Sequence, residues 1–548
     1  MNTFLQIHPL DNVLVALQDL EQGAEITFNG ATIPLLQKVP AKHKFLVHSL
    51  HAGDAIRMYG VTVGKTLKPL STGELITTQN IEHDANAFHE KDLAFQWQAP
   101  DVQKWRNRTF QGYARPDGQA GTRNYWLVIP LVFCENRNVQ VIKTAFEKGL
   151  GFAPEEIYNE QVNELVNFYK NNDLEAIRNY APAPAASRQK RHTLFTNIDG
   201  IKFLSHEGGC GGTRQDAEAL CALLAGYIHH PNVAGATILS LGCQHAQVSL
   251  LQGALAKLNT SFSKPLLVFE QQRSKSEYDM LSEAIKQTFL ALIDANKLER
   301  TPQPLSKLTI GLECGGSDGF SGISANPAVG HTSDLLVALG GKSILSEFPE
   351  LCGVEQELIN RCENSEIAGK FIHLMRNYER AAKQVGSGFD MNPSPGNIRD
   401  GLITDAIKSA GAAKKGGSSP ITAVLDYTEY ATQPGLNLLC TPGNDVESTS
   451  AEVGAGANIV LFTTGLGTPT GNPIAPVLKL ATNTRLATRM PDIIDIDTGG
   501  IISGQQSIAE VGEDILEWII RTASGEVYTK AEQLNQDDFI PWKRGVSL

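Results

Sequence analysis

Along most of the chain, short apolar runs alternate with polar turns, and several turns open onto segments with helical periodicity. Residues 125–133 form an apolar run that closes on Cys134-Glu135-Asn136, and an apolar stripe at helical spacing follows over 139–148. Residues 201–204 close on Ser205-His206-Glu207-Gly208-Gly209-Cys210, with a helical pattern over 216–228. Residues 236–241 close on Gly242-Cys243-Gln244-His245, ahead of a helix from about 247 to 258. Residues 308–312 end in Glu313-Cys314 and the turn Gly315-Gly316-Ser317-Asp318-Gly319. Leu345 leads into Ser346-Glu347-Phe348-Pro349-Glu350, residues 436–439 into Cys440-Thr441-Pro442-Gly443-Asn444-Asp445, and 457–464 into a further glycine-rich turn. Runs of this length, alternating with amphipathic helices, predict an α/β fold with mainly parallel sheets.

Residues 1–90 differ. Short runs at 12–17, 24–28, 44–47, 54–59 and 74–78 are separated by turns such as Ala52-Gly53 and Thr72-Gly73, with no long helical period. They predict a small β-rich domain. Residues 91–124 are polar and turn-rich and are expected to be a linker. Residues 125–265 are expected to form a second, α/β domain, interrupted at 150–198 by a helical excursion that includes the basic cluster Arg188-Gln189-Lys190-Arg191-His192. Residues 266–548 are expected to form the C-terminal α/β domain.

Composition narrows the function. At 548 residues the chain exceeds one hydrophobic core. Its net charge of −12 argues against nucleic acid or an anionic membrane as the main partner. No apolar stretch approaches a membrane span, and the opening Met1-Asn2-Thr3-Phe4 lacks a basic segment followed by an apolar one. Eight cysteines are too sparse for a disulfide scaffold, which fits a reducing cytoplasm. The partner expected is a small molecule, and the state expected is a homo-oligomer.

Five cysteines, Cys134, Cys210, Cys243, Cys314 and Cys440, each follow an apolar run and open a polar turn. The carboxyl ends of parallel strands are where open α/β sheets bind ligands. Cys210, Cys243 and Cys314 each adjoin glycine and are expected to meet in one site. Gly465-Leu466-Gly467-Thr468-Pro469 lacks the dinucleotide spacing, and no Gly-Lys-Ser/Thr phosphate loop is present. What remains is carboxylate, thiol and imidazole, a donor set suited to iron, zinc or a harder divalent ion.

At this point the motifs become specific. His8-Pro9-Leu10-Asp11-Asn12 and His43-Lys44-Phe45, the run from Arg115 to Asn124, His206 with Cys210, Gly242-Cys243, the block from Gly311 to Gly322, Glu347 with Pro349-Glu350, and Asn392-Pro393-Ser394-Pro395-Gly396-Asn397 resemble the altronate/galactarate dehydratase family over nearly the whole chain. Gln79-Asn80 departs from the pattern, which often has histidine before the asparagine. The resemblance implies that residues 1–90 are a β-clip (SAF) domain. It implies dehydration of a sugar acid, D-altronate to 2-dehydro-3-deoxy-D-gluconate, with Fe2+ or Mn2+. Galactarate or another aldarate or aldonate is the alternative substrate, and a non-catalytic sugar-acid binder the alternative class. A [4Fe–4S] cluster is the alternative cofactor. On this resemblance, His206 or His43 is the expected base or acid, and Lys44 or Arg123 the partner of the substrate carboxylate. Glu313 and Asp318 complete the expected catalytic set. Cys210, Cys243, Cys314 and Glu313 are the expected metal ligands. Arg115, Arg123, Asn124, Ser317, Asn397, Asn444 and Asp445 are the expected substrate contacts.

Overall fold

The computed structural model describes residues 3–153, 157–182 and 193–548. The basic cluster at 188–192 lies outside the described residues. The N-terminal residues form short antiparallel strands: Phe4–Leu5, Val13–Ala16 and Lys44–Leu46 in one sheet, Glu25–Phe28 with Ala31–Pro34, and Ala55–Met58, Val61–Thr66 and Ile81–Glu82 in another. Val13–Ala16 is buried along its whole length. Val13, Val15, Leu46, Ile56 and Met58 share one core with Phe320, Ile323, Leu402 and Ile407. This first domain is therefore packed against the last one through continuous apolar surface.

The expected linker contains a strand. Thr109–Ala114 pairs antiparallel with Thr301–Pro304 and with Ala120–Gly121. Beyond it, β1 (Tyr125–Pro130), β2 (Gly200–Phe203), β3 (Val233–Ser240) and β4 (Leu266–Glu270) form a parallel sheet in the order β2-β1-β3-β4. Helices α1 (Asn136–Leu150), α2 (Arg214–His229), α3 (Val248–Leu258) and α4 (Glu277–Ala295) accompany it. Thr213 and Asp216 close a reciprocal cap at the start of α2, which fixes where the turn after β2 ends. The boundary expected at 265/266 cuts this sheet, because β4 is its edge strand. We propose that the unit extends through α4.

A second parallel sheet carries seven strands: β5 (Thr309–Cys314), β6 (Lys342–Leu345), β7 (Ile421–Leu425), β8 (Gly435–Leu439), β9 (Ile459–Thr464), β10 (Val477–Ala481) and β11 (Ile496–Asp497), in the order β7-β8-β6-β5-β9-β10-β11. β5, β8, β9 and β10 are buried on both faces, which explains their unbroken apolar reading. Helices α5 (Ala325–Ala338), α6 (Asp405–Ala412), α7 (Asp445–Gly454) and α8 (Ile508–Ala523) flank it. The sheet grows from β5 to β6 on one side and to β9 on the other, so its ligand crevice is expected at the carboxyl ends of β5 and β9. Among the described residues, no helix is long and apolar enough to cross a membrane. All eight cysteines are free thiols.

Candidate active site

The crevice holds a cluster of buried ionisable groups. β5 delivers Glu313 and Cys314 to its carboxyl end, and the turn after β6 delivers Glu347 and Glu350. Cys314 Sγ lies 3.5 Å from Glu347 Oε2 and 3.4 Å from Glu350 Oε2. Ligand atoms of these three residues all fall within 4.8 Å of one another, and no other such trio of His, Cys, Asp or Glu occurs among the described residues. Two cations hold the carboxylates. Lys415 Nζ donates to Glu347 Oε2 at 2.6 Å, with both side chains 1% exposed. Lys408 Nζ, from α6, donates to Glu350 Oε1 and Asn392 Oδ1. Ser346 Oγ links Glu313 and Glu452, donating at 3.3 and 2.8 Å.

Electrostatics separate these groups. Burial opposes charge on Glu347, but Lys415 outweighs it and holds that carboxyl below the usual range. Burial, then the Glu347 and Glu452 charges, push Glu313 well up. Burial and Glu347 push the Cys314 thiol up. Asp445, at the start of α7, is raised to about 7 by burial and by Glu347 and Glu350. Glu347 has φ +62°, a left-handed backbone for a non-glycine residue. Such conformations persist where the surroundings impose them, and they concentrate at functional sites. Glu347 N donates to Thr441 Oγ1 at 2.8 Å, which ties that bend to the turn after β8.

The donor set fits a divalent ion. Glu313 Oε1, Glu347 Oε1 and Glu452 Oε2 are buried acceptor atoms without a hydrogen-bond donor in this geometry, and such atoms call for a proton or a cation. Cys314, Glu347 and Glu350 are the residues that would hold it. A cavity of about 620 Å³ is lined in part by Pro349, Asn392, Gly443, Tyr378 and Arg544, and Gly443 brings it next to Glu350, whose Oε1 a Cβ there would meet at 3.4 Å. Its volume falls in the range of small-molecule sites. A larger cavity of about 1200 Å³, lined by Asp117, Gln119, His229 and Tyr430 among others, lies away from the carboxylate cluster.

The expected site residues divide into three groups. Glu313, Cys314 and Asp445 belong to the crevice. Ser317, Asp318 and Asn397 shape it: Asn397 Nδ2 donates to Ser317 O at 2.7 Å, and Asp318 is fully buried. Asp318 Oδ2 pairs with Lys42 Nζ at 2.9 Å and accepts from Thr482 Oγ1 at 3.1 Å. Lys44 is nearby, donating to Gly401 O at 2.6 Å, and burial lowers its ammonium to about 7. His43 is half-buried with Nδ1 3.2 Å from Ala41 O. Asn444 accepts from Val446 N and Glu447 N, so it caps α7.

The remaining expectations are not brought into this crevice. Cys210 and Cys243 are exposed and follow strands of the first sheet, and among the described residues they do not join the Cys314 trio. The strand-end pattern was right for each cysteine, but the cysteines belong to two sheets. His206 sits with Cys210, with both ring nitrogens occupied: Nε2 is 2.8 Å from Pro130 O, and Gly208 N donates to Nδ1 at 3.1 Å. Burial lowers its pKa to about 4. Arg115, Arg123 and Asn124 are internal struts. Arg123 grips Glu532 at 2.7 and 3.0 Å, and Arg115 NH2 donates to Asn124 Oδ1 at 3.0 Å. Lys408, Lys415 and Glu452 escaped the sequence reading. Lys415 stands before Gly416-Gly417, where a lysine reads as solvated.

The chain is similar to known proteins over nearly its whole length. Residues 2–84 match the altronate/galactarate dehydratase SAF domain. Residues 112–296 match the second domain of D-galactarate dehydratase/altronate hydrolase, and 305–547 the C-terminal domain of D-galactarate/altronate dehydratase. The chain is 32% identical to an altronate dehydratase of Bacillus subtilis (strain 168) over 548 residues, covering 100% of both. It is 32% identical to an altronate dehydratase of Escherichia coli (strain K12) over 549 residues, again covering 100% of both. It is 28% identical to the galactarate dehydratase (L-threo-forming) of Escherichia coli (strain K12) over 534 residues, covering 97% of this chain and 94% of that one. With three domain matches in order and full-length relatives, the chain belongs to the altronate/galactarate dehydratase family, whose members are sugar-acid hydro-lyases.

Proposed function

We propose that the protein dehydrates D-altronate to 2-dehydro-3-deoxy-D-gluconate, with Fe2+ or Mn2+ held by Cys314, Glu347 and Glu350. The observation that carries this reading is that buried trio, clamped by Lys415 and Lys408 beside a cavity of small-molecule size. The substrate choice follows the two full-length altronate dehydratase relatives. A thiol with carboxylates suits iron or manganese. Such an ion supplies Lewis acidity toward a hydroxy acid's oxygens.

The chain's own groups define the proton traffic. Asp445 stands at the crevice, and burial raises its carboxyl above the usual range, which suits it to take the C2 proton. Lys415 and Lys408 remain charged and favour the negative charge that develops next to C2 as that proton leaves. Asp445 then returns that proton to the C3 hydroxyl, which departs as water, and the enol left behind tautomerises to the 2-keto acid. A reducing cytoplasm is the compartment that suits eight free thiols.

The test is keto-acid formation from a panel of aldonates and aldarates, assayed without oxygen and with Fe2+ or Mn2+. D-Altronate is expected to give the highest kcat/KM. A preference for galactarate replaces the substrate assignment, and binding without product from any sugar acid overturns the enzymatic reading.

A further inference from the structure

Of the eight cysteines, all of them among the described residues, three are exposed: Cys134, Cys210 and Cys243. They follow β1, β2 and β3, three neighbouring strands of the first sheet. That sheet has its own reversal of strand order. The chain adds β2 on one side of β1 and β3 on the other, so a crevice opens at their carboxyl ends. The three thiols stand on the loops that border it.

Those loops are tied together. Phe133 N donates to Gly208 O at 3.1 Å, and Ala246 N donates to Gly209 O at 3.0 Å. Asn136 Nδ2 donates to His206 O at 2.9 Å. Backbone beside each cysteine therefore belongs to one hydrogen-bonded rim. Adjacent strands lie about 4.8 Å apart, so the outer two loops are separated by roughly 10 Å. Gly209 has φ +98°, and a Cβ there would stand 2.1 Å from Leu131 O. Only glycine lets the Cys210 loop lie this close to the end of β1. Gly211 and Gly242 also have positive φ, so left-handed bends flank Cys210 and precede Cys243. A cavity of about 390 Å³ opens at this rim, lined by His206, Cys210, His245, Trp542 and Lys543 among others.

The donor chemistry chooses the ligand. The three thiols are not drawn together as the Cys314 trio is, and they stand on three loops tied into one rim. An all-thiolate set on separate loops is the donor set that holds iron–sulfur clusters.

We propose that Cys134, Cys210 and Cys243 hold a [4Fe–4S] cluster through three thiolates, leaving one iron without a protein ligand at the cavity. The cluster differs from the cluster expected on sequence in its third thiolate: Cys134 takes the place of Cys314. It is independent of the ion assigned to Cys314, Glu347 and Glu350, and its test needs no turnover.

The full-length chain is purified without oxygen and reconstituted with ferrous iron and sulfide. Iron, acid-labile sulfide and visible absorption are then measured. About four sulfides per chain with broad visible absorption are expected. Cys134→Ser, Cys210→Ser and Cys243→Ser should each lower sulfide at least fivefold with unchanged far-ultraviolet circular dichroism, whereas Cys314→Ser should retain it. A sulfide-free wild-type chain overturns the proposal, whatever the serine variants do. So does full sulfide in Cys134→Ser, or its loss in Cys314→Ser.

Discussion

Glu347 is where the site is most constrained. Its backbone is left-handed, its neighbour Ser346 belongs to a carboxylate network, and it accepts from a lysine as buried as itself. Removing one partner of a buried ion pair leaves an uncompensated charge. In chelator-treated protein, Lys415→Met should lower the unfolding free energy by roughly 3–5 kcal/mol. The double variant Glu347→Gln with Lys415→Met should recover most of that loss in the same denaturant titration. Equal losses in single and double variants would show that the pair is not coupled. Asp445→Asn should cut kcat by roughly 10²–10⁴-fold and remove the ascending limb of the pH–rate profile. An unchanged limb assigns the base elsewhere. Glu313 and Cys314 were legible in the sequence because they end an apolar run. Lys415 was not, because its burial comes from long-range packing: Gly330 of α5 lets Lys414 O approach to where a Cβ would stand 2.1 Å away.

Elements were legible where burial is two-sided. β1, β5, β8 and β9 read as continuous apolar runs because both faces are covered. β4 was missed as part of the first sheet. It is an edge strand, only partly buried, and its partner β3 ends well before it in sequence. Sequence periodicity carries no information on which strands share a sheet, and sheet membership is what distinguishes Cys314 from Cys210 and Cys243. The turn after β5 also shows why the glycines there are required. A Cβ at Gly315 would lie 2.0 Å from Asp445 Oδ2 and 2.6 Å from the Phe462 ring. Gly315→Ala should therefore displace α7's first residue from the crevice and lower kcat/KM at least tenfold while circular dichroism stays unchanged. Wild-type kinetics in that variant would mean that Asp445 can move away without consequence.

At the scale of the whole molecule, the first domain is anchored in the last by residues 42–44. Lys42 reaches Asp318 and Asp400, and Lys44 reaches Gly401 O. Burial holds the folded Lys44 near 7 against an ordinary 10.5. The folded pKa is depressed, so this group's contribution to stability is present above pH 10.5 and is lost as pH falls toward 7. Lys44→Met should flatten that dependence, with wild type and variant diverging by up to about 1.4 kcal/mol per pH unit in denaturant titrations between pH 7 and 10. Parallel stability curves would show that Lys44 stays charged in the fold. The sequence marked His43-Lys44 as notable, but it could not show that the lysine's partner lies 357 residues away. That distance has a consequence for synthesis. At roughly 5–20 residues per second, a ribosome needs on the order of 20–70 s to pass from Lys42 to Asp400, 358 residues later. For that interval the nascent first domain displays its basic loop, and Val13, Val15 and Met58 lack the last-domain part of their core, which makes it a candidate client for chaperones that attend emerging chains.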